Sequence, residues 1–398
     1  MENFSVFQSP HIINYGRGSF ETIGKETSKK GKKALIISDR VMDKLDYVSQ
    51  CKNSLSKEGV ESAVYLGIES EPTDVYVSEA LEILQQEKCD VIISLGGGSC
   101  IDTAKSVSVL ATNDGYIGDY MGGRKIAKKK AIPHIAIPTT AGTGSEATDA
   151  TVITNTTNDV KMMIKQPAFL PEVAIVDPQL TMSAPKKVIA ATGVDALSHA
   201  IEAYISKRSH PMTDMMALSA MNLIVNNITK SYDSTDNIDA KEKMILGSLQ
   251  AGLAFSNASV CLVHGMSRPI GALFHVPHGF SNAMLLPAVL EYSKDSAVQR
   301  LAELGRIFSP EMKNESDEDA ADIAVNSVKE LCLRLEIPNL QDWGIDKEEF
   351  ENAVSKMAKD ALDSGSPGNN PKVPSHKDIE DLYHDCFDYS FASGIKLK

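Results

Sequence analysis

The apolar pattern of this chain changes once, near Ser183-Ala184-Pro185, and that change constrains the fold more than any other feature. Before it, short apolar runs alternate with helical periodicities. Lys32 to Asp39 (KKALIISD) and Glu61 to Gly67 (ESAVYLG) read as buried strands. Thr73 to Lys88 carries Val77, Leu81 and Leu84 on one helical face. Asp90 to Cys100 reads as a strand running into a glycine turn, and Ile101 to Thr112 as a helix. Ile132 to Thr140 and Val173 to Pro178 read as further strands. Strands that alternate with helices predict a mostly parallel sheet covered on both faces. After the change, strand signals nearly vanish. Long Ala/Leu/Met-rich segments follow: Pro185 to Ser206, Thr213 to Asn226, Ala240 to Ser256 and Ser296 to Phe308. The expectation is an α/β N-terminal domain over 1–184 and an all-α C-terminal domain over 185–398, a division that suits 398 residues.

Charge and composition narrow the functional classes. The chain has 40 Lys+Arg against 53 Asp+Glu, a net charge of −13. That disfavours binding to nucleic acid or to an anionic membrane by bulk electrostatics. A hydrophobic content of 42% argues against disorder. The six cysteines are scattered without a CxxC pair, which suits free thiols in a reducing compartment. The N-terminal MENFSVFQSPHIINYG lacks the basic and apolar regions of a signal peptide, and no run approaches the ~20 apolar residues of a membrane span. A cytoplasmic protein is expected. Lys128-Lys129-Lys130 reads as a solvated loop.

Two glycine-rich segments follow strands. Gly96-Gly97-Gly98-Ser99 sits between a strand and a helix, where unpaired N–H groups and the helix dipole favour a phosphate; a plain tight turn is the competing reading. Gly142-Thr143-Gly144-Ser145-Glu146-Ala147 matches the dinucleotide pattern GxGxxA. It is followed by the β-branched run Thr148 to Thr154 rather than by a helix, so it is rejected as the main phosphate loop. Its hydroxyls and glycines still suit polar ligand contacts. Asp39, at the end of the first strand, is either a helix cap or an acceptor for an adenosine ribose.

The helical half holds a second constellation. Asp195 and His199 lie four residues apart in a helical pattern, hence on one face. VHGMSRPIGALFHVPHG then supplies His264, His275 and His278. One carboxylate with two or three imidazoles suits a divalent first-row ion such as Fe²⁺ or Zn²⁺. Taken singly, each of the nine histidines has a plain core or surface reading, and His275 with His278 can also be a pair by themselves.

The segments GGGSCIDTAKS, IPTTAGTGSEAT, ATGVDALSHAIEAYIS, FSN and VHGMSRPIGALFHVPHG, with the late Asn369-Asn370-Pro371, occur in the order seen in the iron-containing (group III) alcohol dehydrogenases, and the chain resembles that family along essentially its whole length. The resemblance implies a dinucleotide-binding α/β domain, a helical metal-binding domain and an active site in the cleft. It implies Fe²⁺, or Zn²⁺ or another divalent metal, on Asp195, His199, His264 and His278. It implies NAD, with Gly97, Gly98 and Ser99 as phosphate loop and Thr139, Thr140, Ser145, Lys161 and Leu180 lining the cofactor; Asp39 falls on the acid that discriminates NAD from NADP. It implies hydride transfer between the nicotinamide and a small alcohol or aldehyde, and a homodimer or larger homo-oligomer. The strand-like segment Phe7 to Phe20 is a candidate for pairing across such an interface.

Three residues depart from the family pattern. Arg268 replaces a common histidine four residues after His264, His275 stands where Asn or Asp is frequent, and Glu71-Pro72-Thr73 replaces Asn-Pro-Thr. Arg268 suggests a substrate with a carboxylate, sulfonate or phosphonate tail; a structural ion pair is the competing reading. His275 is a candidate proton relay, with packing as its alternative. A lyase or cyclase of the dehydroquinate synthase type needs a Lys/Arg-rich sugar-phosphate pocket, which these motifs lack. A non-catalytic NAD-binding oligomer is disfavoured by the intact ligand set.

Overall fold

In the computed structural model, which describes residues 4–392, the chain divides into two compact units. One is Gln8–Ala184; the other runs from Pro185 onward and takes in the segment before Gln8.

The first unit is built on a six-stranded parallel sheet. Its strands are β1 (Ile12–Tyr15), β2 (Lys33–Asp39), β3 (Glu61–Ile68), β4 (Val91–Gly96), β5 (His134–Pro138) and β8 (Val173–Val176), in the order β1-β8-β5-β4-β2-β3. The inner strands are apolar at almost every position because helices cover both faces. Ile36, Ile93, Leu95 and Ile135 pack on one side with Leu55 and Val48. Leu35, Ile37 and Ile92, pointing the other way, pack with Leu84, Ala104 and Val107. The early segment expected to pair across an interface lies in the chain's own sheet, with Ile12 beside Val173 and Tyr15 beside Val176. β6 (Ala150–Asn155) and β7 (Val160–Lys165) form a separate antiparallel hairpin, which accounts for the β-branched run after the second glycine loop.

The chain leaves β2 to build β3 on one side and returns to build β4 on the other. The carboxyl ends of β2 and β4 therefore lie side by side at the point where strand order reverses, the usual ligand crevice of an open α/β sheet. Ser38 pairs with Leu95 in register, and its hydroxyl donates to the Leu95 carbonyl at 2.6 Å, which places Asp39 next to Gly96.

The second unit is helical. The helix Lys186–Ile205 is its axis, buried along almost its full length, and Ile238–Ala258, Leu262–Phe274 and His278–Ser293 pack around it. Glycines permit the closest crossings. A Cβ on Gly279 would lie 2.9 Å from the Ala191 carbonyl oxygen, so His278, at the start of its helix, comes close to the axial helix. All six cysteines are buried free thiols. Among the described residues no single helix is long and apolar enough to cross a membrane.

Candidate active site

Four side chains from three helices converge in the second unit. Asp195 and His199 come from the middle of Lys186–Ile205, His264 from the first turn of Leu262–Phe274, and His278 from the first residue of its helix. Each offers an atom within 4.8 Å of the others. Asp195 Oδ1 is the common point, 3.5 Å from His264 Nε2 and 3.9 Å from both His199 Nδ1 and His278 Nε2. The rings stack: His199 on His264 at 4.3 Å between centroids, and on Phe255 at 4.2 Å from its other face. Asp195, His199 and His264 are buried, while the His278 side chain keeps 27% exposure and marks the open side.

Two residues not anticipated from the sequence complete this cluster. Glu202 lies on the same helix, at i+7 from Asp195. Its Oε1 accepts from the Val263 backbone N–H at 2.7 Å, and its Oε2 bonds His264 Nδ1. That bond occupies Nδ1 and leaves Nε2, on the Asp195 side, as the ligand atom, the carboxylate–imidazole arrangement that fixes a metal ligand's tautomer. The i, i+4, i+7 stripe of polar residues in an apolar helix was the available signal. Asn282, one turn after His278, donates through Nδ2 to Asp195 Oδ1 at 2.6 Å and approaches His264 Nε2 and His278 Nε2 at 3.1 Å.

The electrostatics ask for a cation. Burial would raise the Asp195 carboxyl, but His199, His278 and the bond from His264 outweigh it and hold it below the usual carboxylate range. Burial would lower His264, yet Glu202 and Asp195 prevail and push it up to about 9. A centre that draws a proton this strongly will draw a metal ion in competition with it. One hard oxygen and three imidazole nitrogens on a single point fit a divalent first-row ion.

Arg268 lies one helical turn beyond His264 and is buried. Its Nη1 donates to Ser366 Oγ at 2.9 Å, while Nε has no hydrogen-bond partner among the described residues. Burial lowers the guanidinium to about 10 against the opposing pull of Glu202. His275 is elsewhere in character: it is exposed and caps its helix in the left-handed conformation (φ 54°). It does not belong to the ligand cluster.

The first unit brings its own predicted residues together at the end of β4. Gly97, Gly98 and Ser99 are half-buried at the start of the helix Gly98–Leu110. A Cβ on Gly98 would stand 2.8 Å from Thr143 Cγ2, and one on Gly97 3.7 Å from Thr140 Oγ1, so the two glycine segments form one cradle. A cradle that side chains would fill, at a helix N-terminus, fits a pyrophosphate. The Thr139 N–H donates to the Gly96 carbonyl at 3.0 Å, which locks the second segment beside the turn. Asp39 is a helix cap. Its Oδ1 caps the next helix, accepting from Val41 N and Met42 N, while Oδ2 faces Cys100 Sγ at 3.8 Å beside the glycine turn.

Three residues expected to line the cofactor also have partners within the protein. The Ser145 hydroxyl donates to Asp102 at 2.5 Å and accepts from Lys105 at 2.9 Å. Lys161, on β7, gives its ammonium to Glu71 at 2.6 Å, so the departure at Glu71 neutralises it. The Leu180 side chain is packed in the core with Phe20 and Ile175.

Comparison with known proteins covers both units. A family model described as iron-containing alcohol dehydrogenase matches residues 10–178, and one described as Fe-containing alcohol dehydrogenase family, C-terminal, matches residues 189–387. The 1,3-propanediol dehydrogenase of Citrobacter freundii is 35% identical over 382 residues, which covers 95% of this chain and 97% of that protein. The crystal structure of a 1,3-propanediol oxidoreductase superposes with a TM-score of 0.92 at 34% identity, covering 97% of this chain and 100% of the other. That of the sulfoacetaldehyde reductase from Bifidobacterium kashiwanohense, in complex with NAD+, gives 0.85 at 28% identity over 98% and 100%.

Glu202→Gln keeps the shape but removes the charge behind His264. It is expected to weaken divalent-metal affinity about 10–100-fold, measured by competition with a metal-binding dye, with unchanged helical content by circular dichroism. An unaltered metal affinity would show that the Glu202–His264 bond does not support the centre.

Proposed function

This chain belongs to the iron-containing alcohol dehydrogenase family, and from that premise we propose how its residues divide the work. The protein is an alcohol/aldehyde oxidoreductase. Asp195, His199, His264 and His278 hold one divalent ion, Fe²⁺ or a substitute such as Zn²⁺. Gly97, Gly98 and Ser99 receive the pyrophosphate of NAD, and Asp39 Oδ2 faces the adenosine ribose, which disfavours a 2′-phosphate. When bound, the ion supplies Lewis acidity to the substrate oxygen and the nicotinamide carries the hydride.

The protein's own contribution is placement and charge. Glu202 keeps His264 in the tautomer that offers Nε2. Asp195 is the one carboxylate in the ligand cluster, so the loaded centre keeps a net charge of about +1, the condition for stabilising oxygen anions. Burial of Asp195, His199 and His264 keeps the local dielectric low, which strengthens that effect. The observation that carries this reading is the meeting of a carboxylate and three imidazoles at one buried point.

A finer reading concerns the substrate. The Arg268 guanidinium is buried beside a neutral hydroxyl partner, and both oxygens of Glu202, the carboxylate that acts on it, are already bonded elsewhere. A buried cation with an unmatched donor is costly unless an anion meets it. This supports a short aldehyde or alcohol whose acidic tail sits about one helical turn from the reacting carbon. The sulfoacetaldehyde reductase on the same fold is named for a substrate of that kind. The free, buried cysteines favour a reducing, cytoplasmic setting, and the outer edge of β1 offers backbone groups to a second copy, which supports a homodimer. Light scattering that returned a monomer would remove the dimer.

With NADH and small aldehydes, turnover is expected to vanish with a chelator and return with Fe²⁺ or Zn²⁺. Asp195→Ala should lose about 10³-fold or more in kcat while NADH still binds, read by nicotinamide fluorescence. Chelator-resistant turnover would overturn the metal role. Arg268→Ala should lower kcat/KM about 10–100-fold more for an anionic than for a neutral aldehyde of equal length. Equal losses would remove the acidic-tail reading and leave the dehydrogenase intact.

A further inference from the structure

The helix that carries His264 and Arg268 is aimed by a short turn, Ser259 to Cys261. Helix Ile238–Ala258 enters this turn, helix Leu262–Phe274 leaves it, and the two are bent by 102°. Ser259 makes the turn at φ 70° and ψ 159°. Other non-glycine residues at positive φ, such as Lys88 and His275, keep ψ at 43° and 26°, in the ordinary left-handed well. Ser259 lies outside that well, in a region that only glycine enters freely. A side chain persists there only where its surroundings hold it.

The holding group is Asn369. Its Nδ2 amide has two hydrogens and donates to Ser259 Oγ at 3.0 Å and to the Val260 carbonyl at 3.2 Å. Asn369 is fixed in turn, because its backbone carbonyl accepts from the Lys207 N–H at 2.9 Å. The segment that contains it also touches the helix beyond the turn. A Cβ on Gly265 would lie 2.7 Å from Pro367 Cγ, and Ser366 Oγ accepts from Arg268 Nη1 at 2.9 Å. The end of the axial helix grips the turn as well. Ser206 Oγ donates to the Ala258 carbonyl at 2.6 Å, and Cys261 Sγ donates to the Glu202 carbonyl at 3.4 Å.

An unstrained turn would serve if two helices only had to be joined. What this turn fixes is the start of the second helix, and with it His264, whose Nε2 lies 3.5 Å from Asp195 Oδ1. Ligand atoms of a metal centre tolerate only small errors of placement, so the groups that aim them matter.

We propose that Asn369 is a positioning residue for the metal centre: it holds Ser259 in its strained conformation and so sets where the helix Leu262–Phe274 presents His264 and Arg268. This rests on reading His264 as a metal ligand.

The test is Zn²⁺ binding to the full-length protein, by competition with a metal-binding dye, alongside thermal melting. Asn369→Ala is expected to weaken Zn²⁺ affinity about 10-fold, as for other groups that act through a ligand. Ser259→Gly removes the strain and keeps the bond from Asn369 to Val260. It is expected to hold affinity within about threefold and to melt at an equal or higher temperature. The double variant, Asn369→Ala with Ser259→Gly, is the decisive one. Glycine adopts this turn unaided and the bonds from Ser206 and Cys261 remain, so affinity is expected to return to within about threefold of the wild type. A merely structural asparagine would not be replaced by a glycine at a different position. Unchanged affinity in Asn369→Ala overturns the inference, as does a loss that Ser259→Gly does not recover. If Asn369→Ala does not fold, the double variant decides: folding with near wild-type affinity supports the inference, and failure to fold overturns it. His264→Ala separates this from the underlying reading. If it keeps full affinity, the ligand reading fails and the inference with it; if it loses affinity while Asn369→Ala keeps it, only the role of Asn369 fails.

Discussion

A carboxylate buried in an apolar helix is the constraint on which the second unit depends. Asp195 is about 1% exposed in the middle of Lys186–Ile205, and burial alone would force it to take up a proton. It stays ionised because His199 faces it from its own helix, and His264, His278 and the Asn282 amide face it from two neighbouring helices. Those helices must therefore start close to the axial helix, and each does so by local means. Gly279 lets one backbone approach Ala191, and Glu202 caps the other by accepting the Val263 N–H. The same Glu202 carboxylate thus helps start a helix and orient the histidine on it. Removal of one partner would weaken the compensation of a buried charge, which is why such clusters are strongly coupled.

The first unit, on the function proposed above, holds an anion with backbone rather than side chains. Gly97 and Gly98 clear the approach to the helix N-terminus, and the reversal of strand order leaves space above it. The side chains nearby then serve one another. Asp102, Lys105 and Ser145 form a closed network, Lys161 is paired with Glu71, and Asp39 caps a helix with one oxygen while leaving the other toward the turn. A net charge of −13 does not oppose the proposed pyrophosphate site, because dipoles and aligned N–H groups, not formal charge, provide the local field there.

Much of this was legible in residue patterns, for reasons that are local. The alternation of apolar runs fixes which strands are buried on both faces, and the Asp195/His199 spacing places both on one helix face whatever the helix packs against. Glu202 continued that face and was missed because an acid in a helix ordinarily signals solvent. Lys105 was missed for the same reason: a lysine in an amphipathic pattern reads as a surface residue, and only the fold shows it with no exposed surface at all. His275 looked equivalent to His278 in a short His-x-x-His stretch. The helix break between them separates the two, leaving His275 on an exposed left-handed corner and His278 on the next helix start.

The sequence by itself determined the order of elements, the glycine turn after a buried strand, and the residue types able to hold a divalent ion, since these follow from periodicity and from the chemistry of side chains a few residues apart. Only the tertiary structure decided which partners those side chains meet within the protein. Ser145, Lys161 and Leu180 suit a cofactor site as residue types, but each is engaged by a partner distant in the chain: Asp102 and Lys105, Glu71, and the core around Phe20. Hydrogen bonds and packing between distant segments depend on three-dimensional distance, and no local pattern encodes that distance.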